Sequence, residues 1–262
     1  MTSRRWLFGM QLGFTLLVCA FLVLPVGLSI LAGLTSNYFI GPSSGLTLRW
    51  VAEVWASYRD TLLLSVEIAL ACLAMCLLLG VPAAYALARL RGRGARLFEE
   101  LLVMPVAVPG LATALGLIVA YGGFGAFRTS AAFILVGHVL FTLPFMVRSV
   151  LAVLSAIDLQ TLEESAASLG AGPSRRFFDI VLPNCRNGIL AGSLMVVTLS
   201  MGEFNMTWLL HTPLTKTLPI GLADSYASMQ LEVASAYTLI FFIMIIPLLV
   251  AMQLFADKEH AR

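Results

Sequence analysis

The residues able to do chemistry in this sequence are few. Glu67 and Glu203 sit inside long apolar runs. An ionised carboxylate at hydrocarbon depth is costly unless it faces a partner or water, so both are expected to face the interior of a bundle. Glu203 can line a path and meet a cationic amine, or it can make a structural hydrogen bond to a helix or to a partner chain. His138, also within an apolar run, reads as a packed, hydrogen-bonded histidine rather than a proton relay. Gly41-Pro42-Ser43-Ser44-Gly45 matches the Gly-x-Ser-x-Gly elbow of hydrolases. That elbow needs a strand before it, a helix after it and a histidine base. Here it lies in a turn-rich stretch with His211 as the candidate base on that side, so catalysis is not expected. Cys19, Cys72, Cys76 and Cys185 include no Cys-x-x-Cys pair and read as small buried hydrophobes, with no metal site. No Gly-x-x-x-x-Gly-Lys-[Ser/Thr] loop occurs, and there is no Gly-Lys dipeptide at all. A phosphate-cradling loop therefore cannot be built here, and no cofactor is expected in this chain.

The elements that must position these groups are set by composition. Of 262 residues, 60% are hydrophobic and only 11% charged, with a mean hydropathy of +0.94. That is too little charge to cover a soluble globule of this size, so lipid is the expected solvent. A net charge of +2 and the lack of an aromatic-interleaved basic stripe exclude a nucleic-acid partner. The run after Ser3-Arg4-Arg5 stays uncharged from Trp6 to Leu48, too long for a signal peptide and without an Ala-x-Ala cleavage site. It is expected to be a retained span.

A membrane helix needs about 20 apolar residues. That ruler gives six: Leu7 to Leu31, Thr61 to Ala88, Leu101 to Tyr121, Ser130 to Val147, Ile189 to Leu210 and Ala234 to Phe255. Of the 16 basic residues, only Arg49, Arg59, Arg128 and Lys216 fall on one side of the resulting topology. The positive-inside rule then puts both termini and the Arg148 to Gly188 loop in the cytoplasm. The expected fold is an all-α integral membrane protein, one domain over residues 1–262. Prolines punctuate most spans, and Met104-Pro105-Val106-Ala107-Val108-Pro109-Gly110 is the strongest candidate for a break.

The cytoplasmic loop predicts two short helices. Asp158 caps the first, Leu159, Leu162, Ala166 and Leu169 make one apolar face, and Gly170 ends it. Pro173 opens the second, Phe177, Ile180 and Val181 repeat at helical spacing, and Pro183 stops it. An apolar face of this kind wants a protein partner or a lipid surface.

Glu164-Ser165-Ala166, Gly170 and Ile180-x-Leu182-Pro183 together resemble the EAA loop of bacterial binding-protein-dependent ABC importer permeases. In that family the pattern is Glu-Ala-Ala, a glycine six residues after the glutamate, and Ile-x-Leu-Pro beyond it. Ser165 stands where the family has alanine. The resemblance covers about residues 58–256, leaving the helix at 7–31 as an extra. It implies a type I importer permease fold in the bacterial inner membrane, with Glu164, Ser165, Ala166, Leu169, Gly170, Ile180, Leu182 and Pro183 docking onto an ATPase. It also implies an ATPase dimer that binds ATP and Mg, a second permease subunit and a periplasmic substrate-binding protein. Gly202-Glu203-Phe204 and Thr217-Leu218-Pro219 look most like the polyamine, opine and phosphonate branch. That points to 2-aminoethylphosphonate first, then putrescine or spermidine, with ferric iron or another small solute as the alternative. Glu203 and Glu67 are the substrate-path candidates. An ion-gradient transporter would not need the docking segment.

Overall fold

A computed structural model describes residues 2–90 and 93–260. Arg91 and Arg262, two of the residues counted for orientation, lie outside them. The described chain is α-helical, with one isolated bridge between Thr35 and Leu46 and no longer strand. Five described helices are long and apolar enough to cross a membrane, or six if one sharply bent pair is a single span.

The chain divides into two compact units. The first comprises Met1–Arg59 and Gly221–Met244. Its α1 (Thr2–Ala32) exposes apolar side chains along most of its length, as a helix solvated by lipid does. At its end, Gly33 lies so close to a backbone that a Cβ there would meet the Ala236 nitrogen at 2.6 Å. The loop that follows is tied down by side chains of the next helix and of a later one. Trp50 Nε1 donates to the Thr35 carbonyl at 2.8 Å, and the Tyr38 amide donates to Glu232 Oε1 at 2.8 Å. The hydrolase-like pentapeptide forms a single 3-10 turn: Ser43 Oγ donates to the Ile40 carbonyl and Ser44 Oγ to that of Gly41. Gly41 and Gly45 have φ of 69° and 95°, so the glycines serve turn geometry. No strand precedes this turn.

The second unit comprises Asp60–Ile220 and Ile245–Arg262. Helix α2 (Arg49–Arg89) starts twelve residues before the expected Thr61, because an amphipathic segment leads into it across a non-helical Tyr58. Helices α3 (Arg93–Ala107) and α4 (Gly110–Tyr121) replace the expected third span. They meet at an angle of 102°. Pro109 disfavours helix at Val108 and itself adopts φ −53°, ψ 135°, which is extended. After α5 (Gly125–Arg128), α6 runs from Ala131 to Ala156, nine residues past the expected end. Helix α7 (Leu159–Ser168) follows, and then α8 (Pro173–Arg176), a π turn (Phe177–Val181) and α9 (Leu182–Met201) form one uninterrupted helix. Thus Pro183 does not stop the segment. The Leu182 amide reaches back to the Phe177 carbonyl, and Asn184 Nδ2 takes the Ile180 carbonyl at 2.8 Å. A widened π turn gives the proline ring room. The segment between long helices is therefore 157–172, shorter than the expected 148–188. The remaining elements are α10 (Asn205–Leu210), α11 (Leu218–Ala227) and α12 (Leu231–His260).

The core of this unit forms where α2, α6 and α9 pack. Cys72, Cys76, Val81 and Ala84 meet Met146, Val147 and Val150, closed by Val181, Cys185 and Val196. Cys72, Cys76 and Cys185 are buried among apolar groups, as expected, and Cys72 and Cys76 both approach the Thr142 hydroxyl, whereas Cys19, expected to be buried as well, is exposed on α1. Glycines allow the closest approach. A Cβ at Gly188 would lie 2.6 Å from the Ser149 carbonyl oxygen, and one at Gly192 2.8 Å from Met146 Sδ. Small residues four apart are a common way for membrane helices to touch backbones.

Candidate functional site

Two places concentrate the polar residues. The first is α7, at the end of the molecule that the charge pattern assigns to the cytoplasm. Asp158 accepts from the Thr161 amide and hydroxyl, fixing the helix start. Its end is a Schellman motif. Gly170, at φ 84°, donates to the Ala167 carbonyl and Ala171 donates to that of Ala166. A Cβ at Gly170 would meet nothing within 4 Å, so the constraint is the backbone conformation and not a clash.

The faces of α7 are not those expected. Leu159 and Glu163, one turn apart, are its buried residues. Glu163 is only 4% exposed. It accepts from the Tyr85 hydroxyl and lies 3.4 Å from Arg89 Nε, both on the last turns of α2. Arg89 Nη1 in turn reaches the Tyr85 oxygen at 3.1 Å. Leu159 packs inward, so the outward apolar row is Leu162, Ala166 and Leu169, with Leu169 90% exposed. Glu164 is exposed and accepts from Gln160 Nε2 at 2.7 Å. Ser165 turns its hydroxyl back to the Thr161 carbonyl. Ile180 and Leu182 are half-buried at the π turn, and Pro183 is exposed. The residues expected to dock therefore divide into an exposed tip on α7 and, at the π turn, half-buried Ile180 and Leu182 beside exposed Pro183.

The second place is the end of α9. The helix stops at Met201, Gly202 to Phe204 leave the helical path, and α10 restarts at Asn205. Glu203 makes the restart. Its Oε1 accepts from the Met206 amide and its Oε2 from the Thr207 amide, each at 2.8 Å. The Thr207 hydroxyl adds a third bond at 2.7 Å. At the other end, Arg128 donates to the Leu210 and Leu209 carbonyls at 2.7 and 3.1 Å. Acid at the amino end and base at the carboxyl end both complement the helix dipole. His138 braces the break from α6: Nδ1 is 2.8 Å from Ser200 Oγ and Nε2 is 2.8 Å from Thr207 Oγ1. A hydroxyl has one proton, and that of Thr207 goes to Glu203. His138 Nε2 is therefore the donor to Thr207. The packed-histidine reading of His138 is what these bonds describe.

The break of the third span meets this place too. A Cβ on Gly110, the first residue of α4, would lie 3.4 Å from Asn205 Cβ and 3.8 Å from Glu203 Oε1. Glu67 does not join it. The inward face of α2 is taken by Ser65, Ile68, Ala69 and Cys72, and Glu67 turns away to lie exposed beside Leu63 and Leu70. It does not face the interior of the bundle, and whatever solvates it lies outside this chain. Sequence reasoning missed Glu163 and Arg128. Glu163 follows Leu159 by four residues, so extending that row along the helix would have found it; the Arg128 contact spans more than eighty residues and left no local trace.

Residues 77–259 match the family described as "Binding-protein-dependent transport system inner membrane component", and the chain belongs to that family. The molybdenum transport system permease protein ModB of Mycobacterium tuberculosis is 32% identical over 65% of this chain and 70% of its own. The putative 2-aminoethylphosphonate transport system permease protein PhnV of Salmonella typhimurium is 27% identical over 79% of each. The putrescine transport system permease protein PotI of Escherichia coli is 29% identical over 80% of this chain and 75% of its own. In fold, the chain matches a crystal structure of a bacterial ABC transporter involved in import of the acidic polysaccharide alginate. The TM-score is 0.70 over 98% of this chain and 96% of that one, at 15% identity. This is a multi-pass permease subunit of an ABC importer, a transport protein and not an enzyme.

Proposed function

We propose that this chain forms one half of a solute path across a bacterial inner membrane, that a cytoplasmic ATPase grips its α7, and that the solute is a small oxyanion. The docking reading rests on one observation above all: α7 is capped at both ends and pinned by Glu163, yet leaves Leu162 and Leu169 uncovered. An apolar row held rigidly in water needs a partner surface. The partners are an ATPase dimer carrying ATP and Mg, a second permease subunit and a periplasmic binding protein. Both ends of the chain lie in the cytoplasm.

The state of Glu203 removes the argument for a purely cationic amine. Both of its oxygens are engaged by α10 and its side chain is 8% exposed, so it offers no free carboxylate to a cationic amine. Its role in this reading is to hold α10 beside the start of α4. The relatives that carry molybdenum, an oxyanion in neutral oxygenated water, and 2-aminoethylphosphonate accord with this. We place 2-aminoethylphosphonate first, ahead of putrescine.

The test is uptake of labelled 2-aminoethylphosphonate, molybdate, sulfate and putrescine in cells with the gene intact, deleted or carrying Gly170→Asp. Gene-dependent uptake of one oxyanion, lost in the glycine variant, is expected. Gene-dependent uptake of putrescine alone overturns the oxyanion reading.

A further inference from the structure

A cavity of about 430 Å³ opens beside α7, lined by Arg89, Leu159, Gln160, Glu163, Glu164 and Arg176. Its two acids are already engaged. Glu163 is held by Tyr85 and Arg89, and Glu164 accepts from Gln160. Arg89 meets Glu163 through Nε and Tyr85 through Nη1, and its side chain is 53% exposed. Arg176 is more telling. Its Nε is buried and has no hydrogen-bond partner, and the nearby acid on its own helix, Asp179, pairs with Arg175 instead. A buried N–H without an acceptor is unfavourable, more so on a charged group. Among the described residues, what this cavity still offers is therefore donors on two cations.

From this we infer that the cavity receives an acidic side chain of the partner ATPase, whose carboxylate pairs with the Arg176 and Arg89 cations that line it. The inference rests on the docking reading and adds a direction to it. The Leu162–Leu169 row of α7 enters the ATPase, while a carboxylate of the ATPase enters this chain. Two contacts of opposite sense on either side of one ten-residue helix fix its rotation as well as its position. The cavity is several times larger than one acidic side chain, so a carboxylate enters without displacing the lining, and planar guanidinium groups suit carboxylates in bidentate geometry.

The experiment uses the assembled importer in lipid nanodiscs, with a photo-crosslinking phenylalanine analogue at Gln160 in one preparation and at Leu169 in another. It also measures substrate-stimulated ATP hydrolysis by Arg176→Glu, with Arg176→Lys as the variant that keeps the charge. The expected result is crosslinking to the ATPase from both positions, with the adduct from position 160 beside an Asp or Glu. Arg176→Glu then loses at least tenfold in stimulated hydrolysis while the ATPase still copurifies, and Arg176→Lys retains a measurable part. If position 169 crosslinks to the ATPase but position 160 reaches only lipid or nothing, the cavity inference is overturned and the docking reading stands. Full stimulation in Arg176→Glu overturns it equally. Failure of both positions to reach the ATPase removes the docking reading itself.

Discussion

The phenol of Tyr85, on the last turns of α2, donates its hydrogen to the carboxylate of Glu163 in α7. One hydrogen bond thus joins the end of a membrane helix to α7, the segment proposed above to meet the ATPase. Arg89 completes the arrangement by touching both groups.

Two adjacent glutamates should therefore behave differently. Glu163→Ala removes a buried acceptor and strands the Tyr85 hydroxyl, a loss of about 1–3 kcal/mol. Glu164→Ala removes an exposed group and should change stability by less than about 0.5 kcal/mol. Thermal unfolding of the purified permease distinguishes them, and equal shifts for the two would contradict the burial of Glu163.

At Gly170 the structure separates two effects. The open space around it means that an added side chain is limited by φ 84°, which asparagine and aspartate tolerate better than branched residues. Gly170→Val should destabilise the end of α7 by about 1–2 kcal/mol. Gly170→Asn should transport nearly normally, whereas Gly170→Asp adds charge next to Leu169 and should lose uptake at normal membrane abundance. Uptake and immunoblot of the three variants read this out. Equal uptake by the Asn and Asp variants would mean that no apolar surface covers this tip.

His138 and Ser200 should be energetically coupled. Removing either hydroxyl or imidazole leaves the other buried group short of a partner, so the double variant His138→Ala, Ser200→Ala should cost less than the sum of the single ones. The expected coupling is about 0.5–3 kcal/mol, measured by denaturation in a double-mutant cycle. Strict additivity would show that the imidazole does not brace the break.

Glycines offer a further contrast. Gly188→Ala forces a methyl to within 2.6 Å of a carbonyl oxygen of α6 and should destabilise the α6–α9 pair by about 1–3 kcal/mol. Gly116→Ala, in open surroundings on α4, should be neutral or slightly stabilising. The melting temperatures of the two variants in one detergent decide the matter.

What could be read from the chain alone was whatever is encoded locally. The apolar runs, the Asp158 cap and the Gly170 terminus all depend on neighbours within a few residues, and each is present in the structure. Pro183 misled because its effect depends on hydrogen bonding already relaxed by the turn before it. The break between α3 and α4 was suspected from two prolines, but its angle comes from packing against α10 and α6. Glu203 and Glu67 look alike in hydropathy. Only the helix phase of Ser65, Ile68 and Cys72 shows that one is buried and the other is not. The partner of buried Glu163, Tyr85, lies 78 residues away, beyond any local pattern.

The unbroken run from Pro173 to Met201 has a mechanical meaning. At 1.5 Å per residue its 29 residues make a rod of about 43 Å, with its foot beside α7 and its tip next to Glu203. A rod of that length multiplies angle into distance, so a tilt of about 3° at the foot carries the tip through about 2 Å. That is most of the diameter of a water molecule. On the docking reading proposed above, a small movement of α7 would thus be enough to rearrange the hydrogen-bonded knot at Glu203 where two broken helices meet.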